Sequence, residues 1–147
     1  MEVETSTWHS RRGEQASLAR WSGRAATGLF VLAMTGSGLM YLLGPPNVTA
    51  VFHHLGYPLY FSKLLGVAKL LGILGILGGG RYPPLREWAY AGFTFDLLAA
   101  ALSHAIVGDG FAAAAPLVAL ALLAASYFLW RAPRTGESPA TKATLPS

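Results

Sequence analysis

The chain has 147 residues, enough for one domain; 53% are hydrophobic, only 12% are charged and none is cysteine. Soluble domains carry about 25% charged residues, so the composition points to lipid as the solvent, and the lack of cysteine excludes disulfides, thiolate metal sites and thiol–disulfide relays. The net charge of +4 and the pI near 9.7 do not signal nucleic acid, because the basic residues flank apolar runs and form no basic face interleaved with aromatics.

Residues 1–24 are polar and mixed in charge, with Arg11, Arg12, Arg20 and Arg24. This stretch is too polar for the apolar part of a signal peptide and reads as a tail whose end, near 18–21, lies along the membrane interface. Four apolar segments follow: 25–43 without a charge, 64–80 with Lys69, 88–107 with Asp96 and His104, and 111–130 without a charge. A helix crosses the hydrocarbon core with about 20 residues, range 17–25, and backbone in lipid must satisfy its own hydrogen bonds. The expected fold is therefore all-α, a four-helix transmembrane bundle.

The connections are uneven. Gly44-Pro45-Pro46-Asn47 ends the first helix, since proline removes a donor and cannot continue the turn. Val48 to Leu55 reads as a short interfacial or re-entrant segment with His53 and His54 near its end, broken by Gly56-Tyr57-Pro58. The second loop, 81–87, holds Pro83-Pro84, and Gly108-Asp109-Gly110 is a tight turn in which Asp109 is a turn residue. Residues 131–147, rich in Pro, Thr and Ser, read as a disordered tail. Lysine and arginine are strongly asymmetric: four precede the first segment, Arg81 and Arg86 sit in the second loop, and Arg131, Arg134 and Lys142 follow the last, against Lys63 alone in the first loop. The positive-inside rule then puts both termini in the cytoplasm of a multi-pass membrane protein, with Trp21, Trp88 and Trp130 at that interface.

An ionisable side chain at membrane depth needs a partner or a task. At 100° per residue, Asp96 shares a face with the small residues Ala89, Gly92, Ala99, Ala100 and Ser103, the kind that lets helices pack closely. Lys69 shares a face with Ser62, Gly66 and Gly72, while Leu64, Val67, Leu71 and Leu74 point away. Both charges are thus expected to look inward. Lys69 lies about 10 Å, Asp96 about 17 Å and His104 about 5 Å below the outer ends of their helices at 1.5 Å per residue, so a leaning lysine stem reaches the carboxylate and His104 lines the edge of the same cavity. The candidate site is Asp96, Lys69 and His104, with Ser103, Tyr41, Gly66 and Gly92 lining the pocket. A bis-histidine haem is not expected, because the other three spans carry no histidine. Adjacent His53 and His54 point about 100° apart on a helix, and no metal site is expected.

Gly56-Tyr57-Pro58 with Lys63-Leu64-Leu65-Gly66-Val67-Ala68-Lys69-Leu70-Leu71-Gly72, and Leu85-Arg86-Glu87-Trp88-Ala89-Tyr90-Ala91-Gly92-Phe93 with Phe95-Asp96-Leu97-Leu98, Ser103-His104 and Gly108-Asp109, form a pattern that resembles the DoxX-like family of small bacterial membrane proteins, over roughly 28–130. The resemblance implies a four-helix membrane bundle. The family name comes from subunits of a thiosulfate:quinone oxidoreductase, so it also implies a link to redox chemistry and to quinone as the bound small molecule.

Two readings of the pair follow. One is an inward polar pocket serving quinone-linked chemistry in a subunit or a stand-alone enzyme, with Asp96 as proton carrier, Lys69 stabilising an anionic oxygen and His104 relaying protons outward. The other is a structural ion pair in a non-catalytic assembly or chaperone-like membrane protein, or in a small proton-linked carrier. The expected surroundings are the lipid bilayer and a protein partner or further copies of the chain, without nucleic acid.

Overall fold

The chain order is α1 (Val3–Leu43), α2 (Pro46–His54), α3 (Leu59–Gly78), α4 (Pro83–Ile106) and α5 (Ala114–Arg131). The structure, a computed structural model, describes residues 3–131, with side chains from residue 21 onward. The C-terminal tail expected at 131–147 lies outside the described residues beyond Arg131, as do the side chains of the N-terminal tail up to residue 20. The fold is all-α, with four membrane-spanning helices and the short, non-spanning α2 between the first two.

Three of the four spanning helices begin before the apolar segments that announce them. α3 starts at Leu59 because Pro58, extended at φ −70°, takes the N-cap position, and Tyr60 to Lys63 continue the helix as polar and aromatic residues suited to an interface. α4 starts on the Pro83-Pro84 pair assigned to a loop, since proline has no N–H to lose in the first turn. α5 begins at Ala114; the almost fully exposed Phe111 stays in the preceding turn. The spanning part of α1 is Trp21–Leu43, and its backbone runs on without interruption from Val3.

The four spans form a ring in which α1 packs on α3 and α5, and α4 packs on the same two from the other side. Across the diagonal, the rings of Phe30 and Phe93 meet edge to face at 5.0 Å. The core around them is Met34, Ile73, Ile76, Tyr90, Leu97 and Leu123, and on α4 its members fall at helical spacing. Leu64, Val67, Leu71 and Leu74 face outward, as apolar residues do when the solvent is lipid.

The most tightly packed face of α4 is Tyr90, Phe93, Leu97 and Ala101, not the small-residue face expected around Asp96. Phe93 and Tyr90 fill the space between helices and find partners there, whereas Gly92 and Ala99 lack the volume to do so and stay exposed. On α3 the small face is used as expected. A Cβ on Gly66 would lie 2.8 Å from the Gly38 carbonyl oxygen of α1, and one on Gly75 would lie 2.9 Å from the Ala89 Cβ of α4. Glycine thus sets the backbone approach of α3 to both neighbours.

Candidate functional site

Lys69 projects from the buried face of α3 and is 5% exposed. Its ammonium donates to Asp96 Oδ2 of α4, lies 4.0 Å from the Met34 sulfur and sits over the Tyr41 ring at 5.4 Å from the centroid. The two lone charges of the membrane segments therefore meet inside the bundle. Paired, they avoid the cost of an isolated ion in hydrocarbon, and the ring face adds cation–π attraction to the lysine.

Toward the α2 end of the bundle the pair borders a cavity of about 130 Å³ whose lining includes Tyr41, Lys69, Asp96, Ser103 and His104. Five of the seven site residues read from the sequence are thus together. The other two lie elsewhere. Gly66 faces α1, against Gly38 and Leu42. Gly92 lines a larger cleft between α3 and α4, which Lys69 and Asp96 also border. The Thr35 hydroxyl bonds back to the Val31 carbonyl.

Two matching helix ends build the roof of the small cavity. At the end of α2, Tyr57 N–H donates to Phe52 O (2.8 Å) and Gly56 N–H to His53 O (3.0 Å); at the end of α4, Asp109 N–H donates to His104 O (2.8 Å) and Gly108 N–H to Ala105 O (3.2 Å). These are Schellman caps. Each needs a left-handed residue, supplied by Gly56 at φ +77° and Gly108 at φ +85°. Each cap then aims its next residue at the other helix. Tyr57 Oη lies 2.7 Å from Ser103 Oγ of α4, and Asp109 Oδ2 accepts from His54 Nε2 of α2 at 2.8 Å. The same carboxylate oxygen faces His104 Nδ1 at 3.3 Å, so the ring that lines the cavity also touches the surface cluster. Hydrogen bonds from His54 and His104 hold the Asp109 carboxyl below the ordinary carboxylate range, outweighing a smaller opposing effect of burial.

In the sequence alone, Asp109, His54 and Tyr57 stand as a turn residue, one of two adjacent histidines and part of a breaker. The available signal was the paired pattern of a glycine followed by a polar or aromatic residue at two helix ends. Among the described residues no group of three histidines and carboxylates is arranged to hold a metal ion.

At the opposite end, a second polar network ties the spans together. The fully buried Ser126 hydroxyl lies 2.6 Å from Thr27 Oγ1 and 2.8 Å from Tyr90 Oη, joining α5 to α1 and α4. Nearby, Tyr127 Oη donates to Glu87 (2.9 Å), Arg131 approaches the same carboxylate (3.7 Å), and Arg86 stacks 4.3 Å from the Trp130 ring centroid.

A sequence profile described as the DoxX-like family matches residues 25–126. The chain belongs to the DoxX-like family. The matched region of this DoxX-like chain holds all four spans but for the first turn of the α1 span and the end of α5, together with both Schellman caps, the Lys69–Asp96 pair and the roof residues. No curated protein and no solved structure matches the chain.

In chemical terms, the site places a carboxylate, an ammonium and an imidazole around one small space in a low-dielectric medium. Charge-assisted hydrogen bonds are strong there.

Proposed function

We propose that this DoxX-like protein binds a quinone-type head group beside Lys69 and Asp96 and manages its protons, as a subunit of a redox assembly or as an enzyme on its own. The single observation that carries this reading is the buried Lys69–Asp96 pair bordering a cavity that also holds His104, Ser103 and Tyr41. In this reading Lys69 donates a hydrogen bond to a quinone oxygen and stabilises negative charge developing on it. Asp96 carries the proton that the reduced oxygen takes up or releases. His104 passes protons between the cavity and the Asp109–His54 cluster at the surface. Arginines flanking the spans at the end away from α2 support cytoplasmic termini, which puts α2 and its roof on the outer side of a bacterial cytoplasmic membrane.

The test is a set of three variants, Lys69→Met, Asp96→Asn and the double change, each measured for yield of folded protein and for binding of a benzoquinone. Loss of binding with normal yield in both single variants supports the pocket. Loss of folded protein in the single variants, recovered in the double one with benzoquinone binding intact, leaves a purely structural pair.

A further inference from the structure

Leu65, Lys69, Asp96 and Ala99 line two cavities, which meet at the ion pair. On the side away from the roof, a cleft of about 560 Å³ runs between α3 and α4. Its lining follows α4 from Leu85 to Ala99, about 21 Å at 1.5 Å per residue, which suits an extended apolar chain better than a head group. Ala68 and Gly92 keep it wide. Its back is closed where Phe93 and Ala89 reach Gly72 and Gly75, and Trp88 and Phe95, both strongly exposed, stand at its lipid-facing mouth. A Cβ on Gly92 would meet nothing within 4 Å, so that position opens onto free space.

The polar end of this cleft lies mid-way along α4, since Asp96 is thirteen residues from Pro83 and ten from Ile106. A phospholipid cannot bring its charged head to that depth without a prohibitive loss of hydration, and would set only a methyl terminus against the ion pair. The paired charges cancel, so the fitting occupant has a neutral head whose carbonyl oxygen accepts from the ammonium and whose reduced, hydroxyl form donates to the carboxylate. The rest of the occupant must be a single apolar chain. We infer that the α3–α4 cleft is the tail seat of the quinone-type ligand, which comes in sideways from the lipid, lays its tail past Gly92 and presents its head to Lys69 and Asp96. This rests on the function proposed above and narrows it to long-tailed, membrane-resident quinones.

The experiment uses the full chain in phosphatidylcholine nanodiscs with two probes, a benzoquinone bearing a long alkyl tail and its tail-less parent. Gly92→Phe fills the cleft, and Gly36→Phe, at a position that also opens onto free space but lines neither cavity, serves as the control. Gly92→Phe is expected to weaken the tailed probe about tenfold or more, as overfilling a pocket does, while the tail-less probe and the Gly36→Phe protein stay within about twofold of wild type on the same scale. A tailed probe with a diazirine at its tail end should label residues between 68 and 99, and unlabelled tailed quinone should compete the label away. Unchanged binding of the tailed probe by folded Gly92→Phe, or labelling that is not competed, overturns the tail seat while the head-group pocket stands. If neither probe binds the wild-type protein, the head-group reading fails and the tail seat with it.

Discussion

Tyr57 and Asp109 hold the same position after two different helices, and each reaches across to the helix the other one ends. Tyr57 follows the Gly56 cap of α2 and meets Ser103 of α4 at 2.7 Å; Asp109 follows the Gly108 cap of α4 and meets His54 of α2 at 2.8 Å. The reciprocal arrangement closes α2 over the cavity. It also gives the cavity a route to the surface through His104, which faces Asp109 at 3.3 Å.

The first prediction concerns pH. The Asp109 carboxyl is held below its ordinary value of 3.8 because His54 and His104 hydrogen-bond its ionised form. A carboxyl depressed in the folded state contributes stability that is fully present above the unfolded value and is lost as pH falls through the folded one. The roof is therefore expected to stay latched above pH 3.8 and to loosen only below it. A carboxyl-carbon NMR titration should give Asp109 a midpoint under 3.8, moved up by His54→Ala and by His104→Ala. A wild-type midpoint at or above the ordinary value rules the clamp out.

Removing the roof contact at neutral pH should free α2 without unfolding the bundle. In Asp109→Ala, amide exchange should accelerate across α2 and leave α3 and α4 unchanged, because α2 is joined to the rest mainly through α3 and this cluster. Equal protection of α2 in the two proteins contradicts the latch.

Breaking the buried pair from one side leaves an uncompensated charge in the membrane. Lys69→Met alone should cost about 3–5 kcal/mol of stability, and adding Asp96→Asn should restore much of it. Thermal unfolding in detergent measures both, and a single variant as stable as the double one removes the electrostatic account.

Gly66 and Gly92 should respond in opposite ways to the same substitution. In Gly66→Ala the new methyl would sit 2.8 Å from the Gly38 carbonyl oxygen, whereas in Gly92→Ala it meets open space. The first should destabilise by about 1–3 kcal/mol through forced separation of α1 and α3, and the second should be neutral or stabilising by up to about 1 kcal/mol through helix propensity. Melting curves of the two variants decide it.

Ser126→Ala should cost about 0.6–1.7 kcal/mol, the range for hydrogen bonds between membrane helices, because it strands the buried Tyr90 hydroxyl. Benzoquinone binding should be unchanged, since Ser126 lines neither cavity.

Much of this architecture is written along the chain in one dimension. A bilayer requires long apolar runs with all backbone groups bonded within the segment, so the four spans can be counted without coordinates. It also makes a lone ion costly, so Lys69 and Asp96 announce each other from 27 residues apart. Helix starts at Pro58 and Pro83 were less visible, because hydropathy marks where hydrocarbon begins and not where the helix does. The azimuth of each helix was the harder quantity. Gly66 and Gly92 look alike in sequence, yet one is clamped against α1 and the other opens onto a cleft. Asp109 and His54, 55 residues apart, carry no local mark of their contact, and the buried Ser126–Tyr90–Thr27 network is equally silent. Which side chains share a cavity depends on how four helices rotate against one another, and that rotation is settled by side-chain volume and backbone approach between distant segments, which no periodicity within a single segment encodes.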